Sequence, residues 1–123
     1  MTLTDSQIDQ LQGEELNKAV AEHVMGWERK YDYKGKLFWE TAKGMSRRQP
    51  FYSFIYDMNC ALEVVENLRN RGLLVYMSAP APDRTKWEVR GWNDNTNNNW
   101  FIAFGDTLPE AICKVALKAV RGE

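Results

Sequence analysis

The sequence predicts an α+β fold: a three-layer α/β/α sandwich in the order α-ββ-α-βββ-α, with a mainly antiparallel sheet. Three observations lead there. Three segments repeat apolar residues at helical spacing, and each carries a recognisable start or stop signal. Residues 73–77 and 100–104 are apolar at every position, the pattern of a strand covered on both faces. Between and before these segments lie short extended runs separated by glycine- or proline-marked turns. Helices, or helices plus other chain, are therefore expected on both faces of the sheet.

Residues 1–12 form a polar lead-in with about one loose helical turn. Residues 14–25 read as the first helix, with Leu16, Ala19, Val20, His23 and Val24 on one stripe. Gly26 stands where a helix end favours positive φ. Residues 29–33 and 37–41 read as two strands joined at Lys34-Gly35-Lys36, with Gly35 as the positive-φ position. Residues 42–50 have loop composition, and residues 51–55 read as a further extended segment. Asp57 is the expected N-cap of a helix over 58–71, whose stripe is Met58, Ala61, Leu62, Val65 and Leu68 and whose end is Gly72. Strands follow over 73–78, 86–92 and 100–104. A proline turn at 79–83 joins the first two, and an asparagine-rich connection at 93–99 joins the last two. The last helix opens on Thr107-Leu108-Pro109-Glu110, a capping box with proline in the first turn. Ile112, Val115, Ala116 and Ala119 form its stripe, and Cys113, Leu117 and Val120 widen it.

The 123 residues suit one domain over 1–123, large enough to fold without disulfide or metal. A net charge of −1 and an isoelectric point near 5.9 argue against a general nucleic-acid binder. Cys60 and Cys113 lie in apolar helical patterns and read as buried thiols. No leader-like segment opens the chain and no apolar run approaches the ~20 residues of a membrane span. The expected location is the host cell cytoplasm, with no membrane partner.

Three blocks of sequence carry a family resemblance. They are Leu16-Asn17-Lys18-Ala19-Val20-Ala21-Glu22-His23-Val24-Met25-Gly26-Trp27, then Tyr56-Asp57-Met58-Asn59-Cys60-Ala61-Leu62-Glu63-Val64-Val65-Glu66-Asn67-Leu68, and then Asp106-Thr107-Leu108-Pro109-Glu110-Ala111-Ile112-Cys113-Lys114-Val115-Ala116-Leu117-Lys118-Ala119-Val120. Together they resemble the phage ABA sandwich domain, a family of small phage and prophage proteins. The resemblance implies a three-layer sandwich and a phage origin. It implies no reaction.

Catalytic constellations are not expected. His23 is the single histidine, so it reads as a helix-surface or packed residue, and without a Cys-x-x-Cys pair a zinc site is not expected. A Cys–His dyad would need His23 to meet Cys60 or Cys113, both placed on core faces. There is no glycine-rich phosphate loop, and Asp94 among asparagines lacks the carboxylates of a calcium loop. No enzyme activity, metal or cofactor is therefore expected.

Anion recognition has more to support it. Residues 27–56 contain Arg29, Lys30, Lys34, Lys36, Lys43, Arg47 and Arg48 against Glu28, Asp32 and Glu40. Nine aromatic residues interleave with them, from Trp27 to Tyr56. Arginine forks suit phosphates and aromatic faces suit bases. A strand-rich segment with an aromatic core and solvated charges accounts for the same composition. A second candidate is Arg90, Trp92, Asn93, Asp94 and Asn95, a strand end running into a polar loop, where an ordinary hairpin tip is the alternative.

The leading functional expectation is a non-enzymatic phage protein that sequesters a nucleotide-derived small signalling molecule. In size and in its lack of catalytic groups the chain is similar to Thoeris anti-defence sponges. On this reading Arg29, Arg47, Arg48 and Arg121 hold phosphates, and Trp27 or Trp92 stacks. Asn93, Asp94 and Asn95 read polar groups, while Gly26 and Arg90 complete the set. A homo-oligomer is expected, because such sites lie at subunit boundaries or in deep clefts. Two alternatives stand beside it. One is a protein-interaction or virion accessory module using exposed tryptophans. The other is a double-stranded-RNA-binding-like domain, suggested by the αβββα order of residues 58–120. Against the latter, Pro109-Glu110 puts a carboxylate at the start of the last helix, where RNA phosphates would bind.

Overall fold

A computed structural model describes residues 3–41, 46–47, 53–80, 82, 84–93 and 100–121, with the side chains of 46, 47 and 93 left aside. The elements are α1 (Asp5–Gln10), α2 (Gly13–Ala19) running into a π-helical turn (Val20–Val24), β1 (Glu28–Tyr31), β2 (Leu37–Glu40) and β3 (Ser46–Arg47). They continue with α3 (Met58–Asn70), β4 (Leu73–Ser78), β5 (Trp87–Asn93), β6 (Trp100–Gly105) and α4 (Leu108–Arg121). The α+β class and the predicted order of the main elements hold. Both sheets, β1-β2-β3 and β4-β5-β6, are antiparallel throughout.

The polar lead-in is more ordered than its composition suggests. Thr4 caps α1 in a complete capping box: its Oγ1 accepts from the Gln7 N–H at 3.1 Å, and the Gln7 Oε1 accepts from the Thr4 N–H at 2.9 Å. The helix after it differs from expectation in which residues face inward. Leu16, Asn17, Val20, Ala21 and Val24 are buried, while His23 is exposed. The π-turn is the reason: a wider turn keeps residues four apart in register, so the 16/17, 20/21, 24 rows align and position 23 rotates outward. Gly26, at φ 69°, ends it as expected, and the Trp27 N–H closes back on the Ala21 carbonyl at 2.9 Å. From the other side Arg71 Nη2 donates to the Val24 carbonyl at 2.9 Å, satisfying an acceptor at the helix end.

The β1–β2 connection is built by Asp32, whose Oδ1 accepts from the N–H groups of Lys34 (2.8 Å) and Lys36 (2.9 Å), with Gly35 at φ 79°. Within 42–50 the described residues 46–47 form the short strand β3 rather than loop. Residues 53–56 form a turn rather than a strand, with Phe54 and Ile55 pointed into the core. The Phe54 N–H donates to the buried Asn17 Oδ1 at 2.7 Å, pinning this turn to α2. Asp57 caps α3 through the Asn59 N–H at 2.8 Å, as the sequence predicts. The buried side is Cys60, Ala61, Val64 and Leu68, which leaves Met58 and Leu62 exposed.

Helix α4 is the centre of the molecule. Every residue from 111 to 119 is buried. It packs on β5 and β6 on one side, beside α3, and against α1, α2 and the π-turn on the other. Its start is as predicted: Thr107 Oγ1 accepts from the Glu110 N–H at 3.3 Å, although Glu110 reaches back to the Asp106 N–H (3.2 Å). Two lysines share this burial. Lys114 Nζ donates to the Asp9 carbonyl (2.8 Å) and pairs with Glu110 (3.1 Å). Lys118 Nζ donates to the Ile102 carbonyl (2.8 Å) and pairs with Asp9 (2.8 Å). Their stems lie along the apolar interior while each ammonium finds carbonyl and carboxylate oxygens.

The described residues cover the two faces of β4-β5-β6 unequally. Leu73, Val89, Gly91, Ala103 and Gly105 lie under α3 and α4, but among the described residues no element covers the opposite face of β4-β5-β6. Leu74, Tyr76, Trp100 and Phe104 on that face are about half exposed. Among the described residues the continuous apolar runs therefore have one face buried by helices and the other about half exposed.

Candidate functional site

The sequence-predicted residues divide between the two sheets. On the first, Trp27 is buried and tilts against Phe54 at a ring separation of 5.2 Å. It is a core residue, and its faces are not available for stacking on a ligand. Arg29 lies over the buried Trp39 ring at 5.5 Å and forms an ion pair with Glu22. Burial opposes its charge and Glu22 favours it, with a net upward shift of its pKa. Lys30 pairs with Glu28 at 3.2 Å, and Lys34 lies 5.6 Å from the Tyr33 ring. The basic excess read from the sequence is thus partly neutralised in local pairs. Arg47 sits in β3 opposite Trp39; its side chain, and the whole of Arg48, lie outside the described residues.

Arg121, expected to hold a phosphate, is engaged within the fold. Its guanidinium forms an ion pair with Asp5 and donates to the Leu3 carbonyl at 3.4 Å, tying the chain start to the end of α4. With Lys114 and Lys118 it makes a set of cations whose partners lie on or next to α1, Glu110 and β6. The basic residues that an RNA-binding reading would need on this helix are spent inside the fold.

The second sheet brings more together. Register places three rows across its open face: Leu74–Trp92–Trp100, Tyr76–Arg90–Ile102 and Ser78–Glu88–Phe104. Trp92 and Trp100 pack at 4.7 Å and Tyr76 and Trp100 at 5.5 Å, both tilted. Arg90 Nε donates to Glu88 at 3.0 Å, so of the predicted residues Arg90 and Trp92 do share one surface. Asn93 ends β5 opposite Leu73, with its side chain outside the described residues, as are Asp94 and Asn95 entirely.

At one end of this face a cleft of about 530 Å³ opens between Ser78, Ala79, Pro80, Arg84, Thr85, Lys86, Glu88 and Phe104. That volume falls within the range of small-molecule sites. Arg84 lines this cleft and, among the described residues, makes no ion pair. Lys86 Nζ donates to Asp106 at 2.7 Å. That bond raises the lysine's pKa and holds the Asp106 carboxyl below the usual carboxylate range. Phe104 offers a half-exposed ring at the wall. Sequence reasoning missed Arg84, Thr85, Lys86 and Phe104. The available signal was a pair of cations two apart directly after the proline turn. A second cleft of about 370 Å³ is edged by Asp106 and Glu110 and suits an anion poorly.

Among the described residues His23 and Cys113 lie in different environments. Cys113 is buried, and burial pushes its thiol well above the ordinary range, while His23 faces solvent. Among the described residues no cluster of three or more His, Cys, Asp or Glu could hold a metal, and no helix is long and apolar enough to cross a membrane.

A family model described as the phage ABA sandwich domain matches residues 18–117. Searches of curated proteins and of solved structures returned no match.

Proposed function

Since the chain belongs to the phage ABA sandwich domain family and is a phage protein, we propose that it is a non-enzymatic binder that sequesters a nucleotide-derived small molecule, in the manner of a sponge against host defence signalling. The observation that carries this reading is the cleft at the end of the open sheet face, which Arg84 and the half-exposed Phe104 ring both line. An arginine fork engages a phosphate in bidentate fashion, and a ring wall stacks on a base. Lys86 adds a second cation, and Thr85 and Ser78 add hydroxyls at the same walls. Arg90 and Trp92 of the originally expected set lie on the adjoining face, which keeps them beside the ligand or beside a partner that closes the cleft. Arg29, Arg121 and Trp27 serve the fold on this account.

The test is a thermal-shift screen against cyclic dinucleotides, cyclic mononucleotides and cyclic ADP-ribose isomers. Binding to the folded state raises the melting temperature by mass action. A rise of several degrees with one class, lost in Arg84→Ala and reduced in Phe104→Ala, supports the proposal. No rise with any of these compounds counts against it.

A further inference from the structure

We infer that the open face of β4-β5-β6 is the contact surface of a homodimer, the occupant being a second copy of this chain. The inference stands on the sheet itself and needs no ligand.

The starting point is the mismatch between sequence pattern and coverage. Residues 73–77 and 100–104 are apolar at every position, as in strands buried on two faces. The described residues bury only one. On the other, Leu74, Tyr76, Trp100 and Phe104 are 51%, 51%, 45% and 49% exposed. An aromatic side chain buries 150–250 Å² when fully covered, so half exposure leaves roughly 100 Å² apiece. With Leu74 and the partly exposed Trp92 and Ile102, the face approaches about 500 Å², at the upper end of what a soluble monomer leaves open.

The surface is also pre-formed. Tyr76, Trp92 and Trp100 already pack on one another, so little side-chain freedom is lost when a partner arrives. A two-fold interface sets a patch against itself, so the patch must not repel its own copy. Among the described residues the three strand rows of this face carry Arg90 and Glu88 as their charges, paired at 3.0 Å in the middle and end rows. At the cleft end Lys86 is paired with Asp106. The rows themselves are therefore neutral and apolar around the Arg90–Glu88 pair. A partner of strong opposite charge would find nothing to complement here, while an identical neutral aromatic face does. About 500 Å² per copy, or about 1,000 Å² in all, lies at the low end of specific interfaces. The dimer should accordingly dissociate on dilution through the micromolar range. Phe104 belongs both to this face and to the cleft wall, so the second copy would stand at the mouth of the cleft.

The experiment is sedimentation velocity on the wild-type chain over a dilution series, with hydroxyl-radical footprinting at its two ends. The expected result is a monomer–dimer equilibrium in which Tyr76, Trp100 and Phe104 lose labelling at high concentration while Tyr33, 94% exposed on the other sheet, does not. Tyr76→Lys and Trp100→Lys should raise the dissociation constant at least tenfold, and Leu62→Lys, on the exposed side of α3, should leave it unchanged. A strict monomer at every concentration would overturn the inference. So would a dimer in which Tyr76 and Trp100 keep their labelling, or one that Leu62→Lys dissociates. The wild-type footprint decides the matter even where a charged variant fails to fold.

Discussion

The two faces of β4-β5-β6 are made from different residues. The inner face places Val89, Gly91, Ala103 and Gly105 beneath α4. The outer face carries Tyr76, Trp92, Trp100 and Phe104. A helix can approach a sheet closely only over small side chains, and here the fit leaves no slack. A Cβ added at Gly105 would lie 2.7 Å from the Ala111 nitrogen and 2.9 Å from the Thr107 oxygen, both backbone atoms that cannot swing aside. Small residues line the inner face where α4 crosses it, with Trp87 and Phe101 packed at its margins, while Tyr76, Trp100 and Phe104 stay about half exposed on the outer face. Tight packing is thus concentrated on the face beneath α4.

This division can be broken in order of expected effect. Leu117→Ala, in the fully buried α4, should cost about 2–5 kcal/mol in urea unfolding. Gly105→Ala should cost about 1–3 kcal/mol through overpacking at the helix start. Arg121→Ala should cost about 1 kcal/mol by freeing α1 from α4, and should leave ligand binding intact. Tyr76→Lys should change monomer stability by no more than about 0.5 kcal/mol while weakening self-association at least tenfold. A large loss of monomer stability in Tyr76→Lys would erase the distinction between the faces.

The smallest effect is one of pH. Asp106 is held below its ordinary pKa by Lys86, so its contribution is present above the unfolded carboxylate pKa and is lost as pH falls through the lowered folded value. Lys86, shifted upward by the same bond, loses its contribution only as pH rises through its raised value. Both groups are exposed, so salt should screen the pair and flatten the acid limb of a stability–pH profile only slightly. Asp106→Asn should remove that salt dependence.

The helices and the second sheet were legible in the sequence because their signals are local. Asp57, Gly26, Gly72 and the Thr107–Glu110 box each act within a turn of where they stand. The inward face of the first helix was not legible, since a π-turn shifts the period and the sequence shows only an ordinary helical stripe. The fold contacts of Trp27 and Arg121 were not legible for another reason. Aromatic and basic residues look the same in composition whether they face a ligand or a neighbour 27 or 116 positions away, at Phe54 and Asp5. The cleft residues Arg84 and Phe104 come from segments that meet only after β5 and β6 pair, so no spacing rule joins them.

The most direct measurement is calorimetric titration of the nucleotide class that shifts melting most, into the wild-type chain, Arg84→Ala and Arg29→Ala. The cleft on the open sheet face predicts saturable binding that Arg84→Ala weakens at least tenfold and Arg29→Ala leaves unchanged. Binding that survives Arg84→Ala but is lost in Arg29→Ala would place recognition on the first sheet and contradict the account.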